Sequence, residues 1–246
     1  MGKEKEELIY GIRPVTEAIK AGKEIDKVLL STSLDGALSR DLKGLIREKK
    51  IVHHFVPLQK INQYTTENHQ GVLCFLAPVT YYEIENLLPG IFEKGKVPLL
   101  VILDRITDVR NFGAIARTAE CAGCDAIIIP EKGAAQINSD AVKTSAGALF
   151  KIPVCREPNL KLAIEFLKAS GVQIVACTEK ASLKHFHIDF RSPTAIIMGS
   201  EDEGISEEYL KRADVKTTIP MAGTIESLNV SVACGIVLFE AMRQRA

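Results

Sequence analysis

The sequence has 246 residues, 46% of them hydrophobic and 25% charged, which suits an ordinary globular chain of one large domain or two small ones. Lysine plus arginine and aspartate plus glutamate each number 31, so the net charge is zero. That excludes a broadly cationic nucleic-acid binder and leaves room for a local basic patch. No apolar run approaches the roughly 20 residues of a membrane span. The start, MGKEKEELIYG, lacks the apolar core of a signal peptide and carries Glu6 where a myristoylation signal needs Ser or Thr. The expected location is the cytoplasm.

Residues 1–77 read as a compact α/β unit. A helix over 11–22 has Pro14 near its start and Gly22 as its stop. A strand follows at 27–31, a helix at 38–49, a strand at 51–56, a short helix at 57–64 and a last strand at 72–76. Arg40, Lys43, Arg47, Lys49 and Lys50 fall close together. They read either as a solvated helix face or as a modest phosphate-contacting patch. Residues 78–97 hold two prolines and two glycines and read as a linker with one helical turn around 83–88.

From Val97 the texture changes. The run 98–103 is continuously apolar, as in a strand buried on both faces of a parallel sheet. A polar loop, a helix over 111–123 ending in glycine, and a second buried strand at 125–130 complete a β-α-β unit. The alternation continues with helices near 140–149, 160–169 and 206–212. Strands are expected at 152–154, 172–177, 195–198 and 215–219, before a final helix. An open, mainly parallel sheet covered on both faces follows, and such sheets bind ligands beyond their strand C-termini. The segments 104–111 and 199–206 occupy such positions.

The six cysteines sit mostly in apolar stretches and are expected to be reduced. Cys121 and Cys124 form a C-x-x-C that ends a helical pattern rather than starting one, unlike a redox pair. No second C-x-x-C or histidine pair completes a zinc site, and no metal is expected. His185 and His187 alternate as in a strand and read as loop or surface residues.

Three stretches carry the candidate chemistry. In 199–206 a Gly-Ser-Glu-Asp-Glu-Gly turn follows a buried strand, but it is neither a dinucleotide nor a phosphate loop. Its three acids suit a neutral or positive ligand. Asn111 and Arg117 are six residues apart and lie on neighbouring parts of a helix rather than in one stacked row. Arg117 stands among small and apolar residues, as a structural ion pair or as an anchor for phosphate or substrate oxygens. Ser227, Asn229 and Ser231 cluster before a nearly all-apolar helix, more polar groups than one cap requires. If that helix is buried, its polar mouth is partly buried too, and a ligand or neighbouring backbone must satisfy it.

Together the segments 103–123 (LDRITDVRNFGAIARTAECAG), 196–206 (IIMGSEDEGIS) and 219–241 (IPMAGTIESLNVSVACGIVLFEA) closely resemble the three motifs of the SpoU-type RNA ribose 2′-O-methyltransferases. The N-terminal segment, with YGIRPVTEAI and NHQGVL, resembles the ribosomal-protein-like RNA-binding domain of some members. The likeness is greatest to those that methylate a guanosine of 23S ribosomal RNA in the peptidyl-transferase region.

The resemblance implies a C-terminal trefoil-knot methyltransferase domain over 98–246, an exception to the rule against threaded chains. It also implies a homodimer through that domain and S-adenosylmethionine bent in the knot, contacted by Gly199, Ile219 and Leu228. Asn111, Arg117, Glu201, Ser227 and Asn229 match the polar active-site positions. Val109 and Arg110 stand where relatives often have a proline and another residue, which touches loop shape rather than chemistry.

The chemistry is compatible. No histidine falls in the three motifs, so imidazole base catalysis is not expected. Arg117 is an awkward base, because a guanidinium stays protonated in proteins. It is expected to clamp the substrate phosphate and stabilise the developing alkoxide. A transfer RNA substrate and a catalytically silent RNA-binding assembly protein are the alternatives.

Overall fold

The computed structural model describes residues 8–225 and 227–246. The first residues, weighed above for a signal or lipid anchor, lie outside the described residues. The chain divides into two compact units, with the main boundary between Val79 and Thr80.

The first unit runs β1 (Leu8–Tyr10), α1 (Ile12–Lys20), β2 (Ile25–Ser31), α2 (Ala37–Glu48), β3 (His53–Val56), α3 (Leu58–Asn62) and β4 (Val72–Leu76). Its sheet order is β1-β4-β2-β3, antiparallel except for the β2–β3 pair. Strand alternation sends Val28 and Leu30 of β2 to one face, where they bury against Val15 and Ile19 of α1 and Leu42 and Ile46 of α2. Leu29, Leu73 and Phe75 turn to the other face and meet Ile61 of α3. β1 was not expected, because three residues are too short to display a period. The basic cluster is mostly a solvated face, with Arg40, Arg47, Lys49 and Lys50 exposed. Lys43 instead donates to the Leu34 carbonyl at 2.9 Å and stands 5.7 Å from the Phe55 ring.

The second unit holds β5 (Tyr81–Tyr82), α4 (Ile84–Glu93), β6 (Leu99–Asp104), α5 (Val109–Cys121), β7 (Ala126–Pro130), α6 (Ser139–Thr144) and β8 (Val154–Glu157). It continues through α7 (Leu160–Ala169), β9 (Gln173–Cys177), β10 (Thr194–Gly199), α8 (Glu207–Leu210), β11 (Val215–Thr217) and α9 (Val230–Arg245). The sheet order is β11-β9-β10-β6-β7-β8-β5, and every described pairing is parallel. Leu100, Ile102, Ala195 and Ile197 bury on one face against Leu88 of α4 and Ile164 of α7. Val101, Leu103 and Ile196 face the other way and are equally buried.

Two expectations need correction. The stretch 78–97 is not a plain linker, since it carries β5 and the ten-residue α4. Ile84, Leu88 and Ile91, spaced i, i+4 and i+7, bury an apolar stripe that outweighs the helix-breaking Pro89 and Gly90. Glu157 accepts from the Ile84 backbone N–H at 2.7 Å, and burial holds its pKa above the ordinary carboxylate range.

The second correction concerns α9. Cys234, Val237, Leu238 and Ala241 face the core, but Val232, Phe239 and Met242 are exposed on the other side. An apolar helix with two opposite apolar faces buries only one of them within a single chain. Its polar mouth is accordingly open, with Ser227 and Asn229 exposed.

Candidate active site

β6 and β10 lie side by side, and their last residues, Asp104 and Gly199, are register partners. From β6 the sheet builds outward through β7 and β8, whereas β9 and β11 lie beyond β10. This reversal of strand order makes a crevice at the C-terminal edge, where such sheets take ligands.

Glycine is required at the floor of that crevice. A Cβ on Gly199 would stand 2.2 Å from the Gly204 carbonyl carbon and the Ile205 nitrogen. The loop folds back because Ser200 and Gly204 form a bridge, with the Gly204 N–H donating to the Ser200 carbonyl at 2.9 Å. A side chain there would force the loop open.

A cleft of about 710 Å³ opens beside this turn. Gly199, Ile219 and Leu228, expected from the sequence to hold a cofactor, all line it, as do Glu201, Ser227 and Asn229. Sequence reasoning missed the wall formed by Thr178, Glu179 and Lys180 at the end of β9. The signal was present, since this is another strand C-terminus, but strand order is not written in the sequence. The loop after β9 is fixed in turn by β11 and its continuation. Thr178 N–H donates to the Thr217 carbonyl at 2.8 Å, and His185 N–H donates to the Thr218 carbonyl at 2.9 Å.

Three of the five expected polar residues converge. Asn229 is the N-cap of α9, its Oδ1 accepting from the Ser231 N–H at 3.0 Å and the Ser231 hydroxyl at 2.6 Å. Its Nδ2 donates to Asn111 Oδ1 at 3.0 Å and to Glu201 Oε1 at 2.7 Å. Asn111 is held at the first turn of α5, where Asp108 caps the helix by accepting from its N–H at 2.8 Å. One amide thus joins three chain segments, and the partners of this polar mouth are mainly side chains, with the Ser231 N–H as the backbone contribution. Arg117 is not brought in: it is exposed further along α5, outside the cleft lining, with no partner among the described residues. Ser227 lines the cleft and likewise has no partner among the described residues.

Beneath the loop, Asp104 is buried and its carboxylate accepts from Arg105 Nε at 2.9 Å and from the Ser206 N–H at 2.7 Å. Arg105 also pairs with Glu203 and donates to the Gly204 carbonyl at 3.1 Å. Its hydrogen bond to Asp104 holds the guanidinium pKa above its ordinary value.

The other candidate chemistries are quiet. Burial pushes the Cys124 thiol up to about 12 and Cys234 well above the ordinary thiol range, so neither is a thiolate near neutrality. Among the described residues there is no group of three His, Cys, Asp or Glu able to hold a metal, and no helix long and apolar enough to cross a membrane.

The fold and cleft define an α/β protein with a ligand-sized cleft at the strand ends, and comparison with known proteins narrows the class. The SpoU rRNA Methylase family profile matches residues 98–239. A second profile, RNA 2′-O ribose methyltransferase substrate binding, matches residues 8–82. A Staphylococcus saprophyticus protein assigned to the TrmH family of tRNA/rRNA methyltransferases is 34% identical over 97% of this chain and 96% of its own. The AdoMet-bound rRNA methyltransferase from Sinorhizobium meliloti superposes with a TM-score of 0.63 at 28% identity, covering 97% of this chain and 87% of that one. The TrmH/SpoU tRNA modifying enzyme of A. aeolicus shares 34% identity over 66% of this chain and 84% of its own, with a TM-score of 0.56. The chain belongs to the SpoU family of RNA methyltransferases, whose methyl donor is S-adenosylmethionine.

Proposed function

We propose that this protein transfers a methyl group from S-adenosylmethionine to a ribose 2′-hydroxyl of ribosomal RNA, with a guanosine of the 23S peptidyl-transferase region as the leading target, in the cytoplasm. The observation that carries the reading is the hydrogen-bonded meeting of Asn111, Glu201 and Asn229 at the lip of the cleft floored by Gly199.

The residues present fit the donor. At about 710 Å³ the cleft lies within the ordinary range for small-molecule sites. Ile219, Leu228 and Ala233 offer apolar wall for a base, and Glu201 and Asp202 supply negative charge suited to a cation. Gly199, Ile219 and Leu228 would hold the group. When bound, it supplies a methyl group activated by a sulfonium.

The chain's own residues orient the other reactant. Arg117 clamps an RNA phosphate through its planar fork and stabilises the charge that develops on the ribose oxygen. The clamped phosphate assists loss of the hydroxyl proton. Asn111, Glu201, Ser227 and Asn229 fix the reacting sugar relative to the cleft. The requirement for a 2′-hydroxyl selects RNA over DNA.

The same reading includes the trefoil knot and a homodimer. The second apolar face of α9, with Val232, Phe239 and Met242 exposed, supports a subunit contact. Arg117, outside its own cleft, suits service to a partner's cleft.

Transfer RNA is the competing substrate, because relatives that resemble this chain carry both RNA classes in their names. The test is transfer of tritiated methyl groups to ribosomal RNA and to transfer RNA, followed by mapping. Label on 23S RNA alone supports the reading. Label on transfer RNA alone replaces the target, and label on neither points to a silent binding protein.

A further inference from the structure

We propose that Arg105 is a positioning residue for the methyl-donor loop: its guanidinium fixes the 199–204 turn against the end of β6 and thereby sets the cleft's affinity for adenosyl ligands. The inference rests on the reading of that cleft as the donor site.

The backbone is the first indication. Arg105 adopts φ +57°, a left-handed conformation that costs free energy for any residue with a Cβ. Such strain persists only where surroundings hold it. Here the side chain is the holder. Nε and Nη2 meet the two oxygens of the buried Asp104 at 2.9 and 3.2 Å. Nη2 also reaches the Gly204 carbonyl at 3.1 Å, and Nη1 pairs with Glu203. Glu203 and Gly204 both line the cleft. One fork therefore ties the first motif's strand end to the far side of the turn that crosses over Gly199.

Electrostatics and positioning predict opposite outcomes. Removing a cation beside a cleft lined by Glu179, Glu201, Asp202 and Glu203 makes it more negative. On charge alone, that tightens binding of a sulfonium and leaves a neutral thioether nearly unaffected. Loss of a positioning fork weakens both ligands alike.

Arg105→Gly relieves the φ +57° strain but leaves the buried Asp104 carboxylate without its cation, so the melting temperature should fall and binding is read well below the transition. The experiment is calorimetric titration of wild type, Arg105→Gly and Arg105→Lys with S-adenosylmethionine and S-adenosylhomocysteine, with KM and kcat on an RNA that wild type methylates. We expect Kd for both ligands and KM for the donor to rise about tenfold in Arg105→Gly, the scale of one charge-assisted hydrogen bond. Turnover at saturating donor should fall less than about twofold, and lysine should recover only part of the affinity because it lacks the fork. Unchanged Kd for both ligands, tighter binding of the sulfonium alone, or a lowered melting temperature with normal Kd would each overturn the proposal. Failure of wild type to bind either ligand removes the donor-site reading itself, a separate and distinguishable result.

Discussion

The two ends of the central strand pair, β6 and β10, are built on opposite rules, although each is organised by an arginine. At the N-terminal ends, Arg245 of α9 donates to the carbonyls of Phe190 at 2.7 Å, Val97 at 2.8 Å, Ser192 at 2.7 Å and Pro98 at 3.2 Å. Gln244 adds a reciprocal pair with the backbone around Ile188 and Phe190. Burial lowers the Arg245 pKa, and its donors meet neutral carbonyls. This end is closed by backbone-directed donors. At the C-terminal ends, Arg105 meets carboxylates, a cleft stands open, and Ser227 and Arg117 are left without partners among the described residues. Buried polar groups at one end are paired within the fold, whereas Ser227 and Arg117 at the other face solvent.

The contrast breaks most readily at the open end. Arg117→Ala should lower methyl transfer by about 10²–10³-fold, the scale of losing one preorganised charge-stabilising donor. Calorimetry should find its donor affinity unchanged, and near-normal turnover would remove Arg117 from the chemistry. Gly199→Ala should weaken donor binding by about a hundredfold, roughly 2.7 kcal/mol, because its Cβ displaces the Gly204–Ile205 backbone. Its melting temperature should fall much less than that of a closed-end variant. Arg245→Ala inverts the pattern. It strips donors from four carbonyls and should cost about 2 kcal/mol of stability, read by urea unfolding, with normal donor affinity in the folded fraction.

The smallest effect lies further along α9. Hydrogen bonds from Arg243 and Gln244 hold the Glu240 carboxylate down at about 2. A depressed carboxylate pKa stabilises the fold above the ordinary glutamate range and loses that contribution as pH falls toward about 2. Glu240→Gln should therefore cost under about 1 kcal/mol at neutral pH. Its unfolding curve should converge with wild type in acid.

Much of the scaffold was legible in the sequence because buried parallel strands are continuous apolar runs. The helix expected at 160–169 is α7, residue for residue, and the run at 98–103 is β6 to within a residue at each end. The 78–97 stretch misled because Pro89 and Gly90 are local signals, whereas the burial of Ile84, Leu88 and Ile91 depends on a sheet that sequence does not display. The polar residues were legible by resemblance, but their geometry was not. Asn111 and Asn229 are 118 positions apart, and no spacing rule joins them. Arg105 was invisible for a related reason: its meaning comes from a left-handed backbone and a carbonyl 99 residues away.

The most direct test is a crystal structure of the protein grown with saturating S-adenosylhomocysteine. The expected result is the nucleoside seated against Gly199, Ile219 and Leu228, beside a threaded C-terminal chain. An unthreaded chain, or a ligand bound elsewhere while that cleft stays empty, would contradict the account.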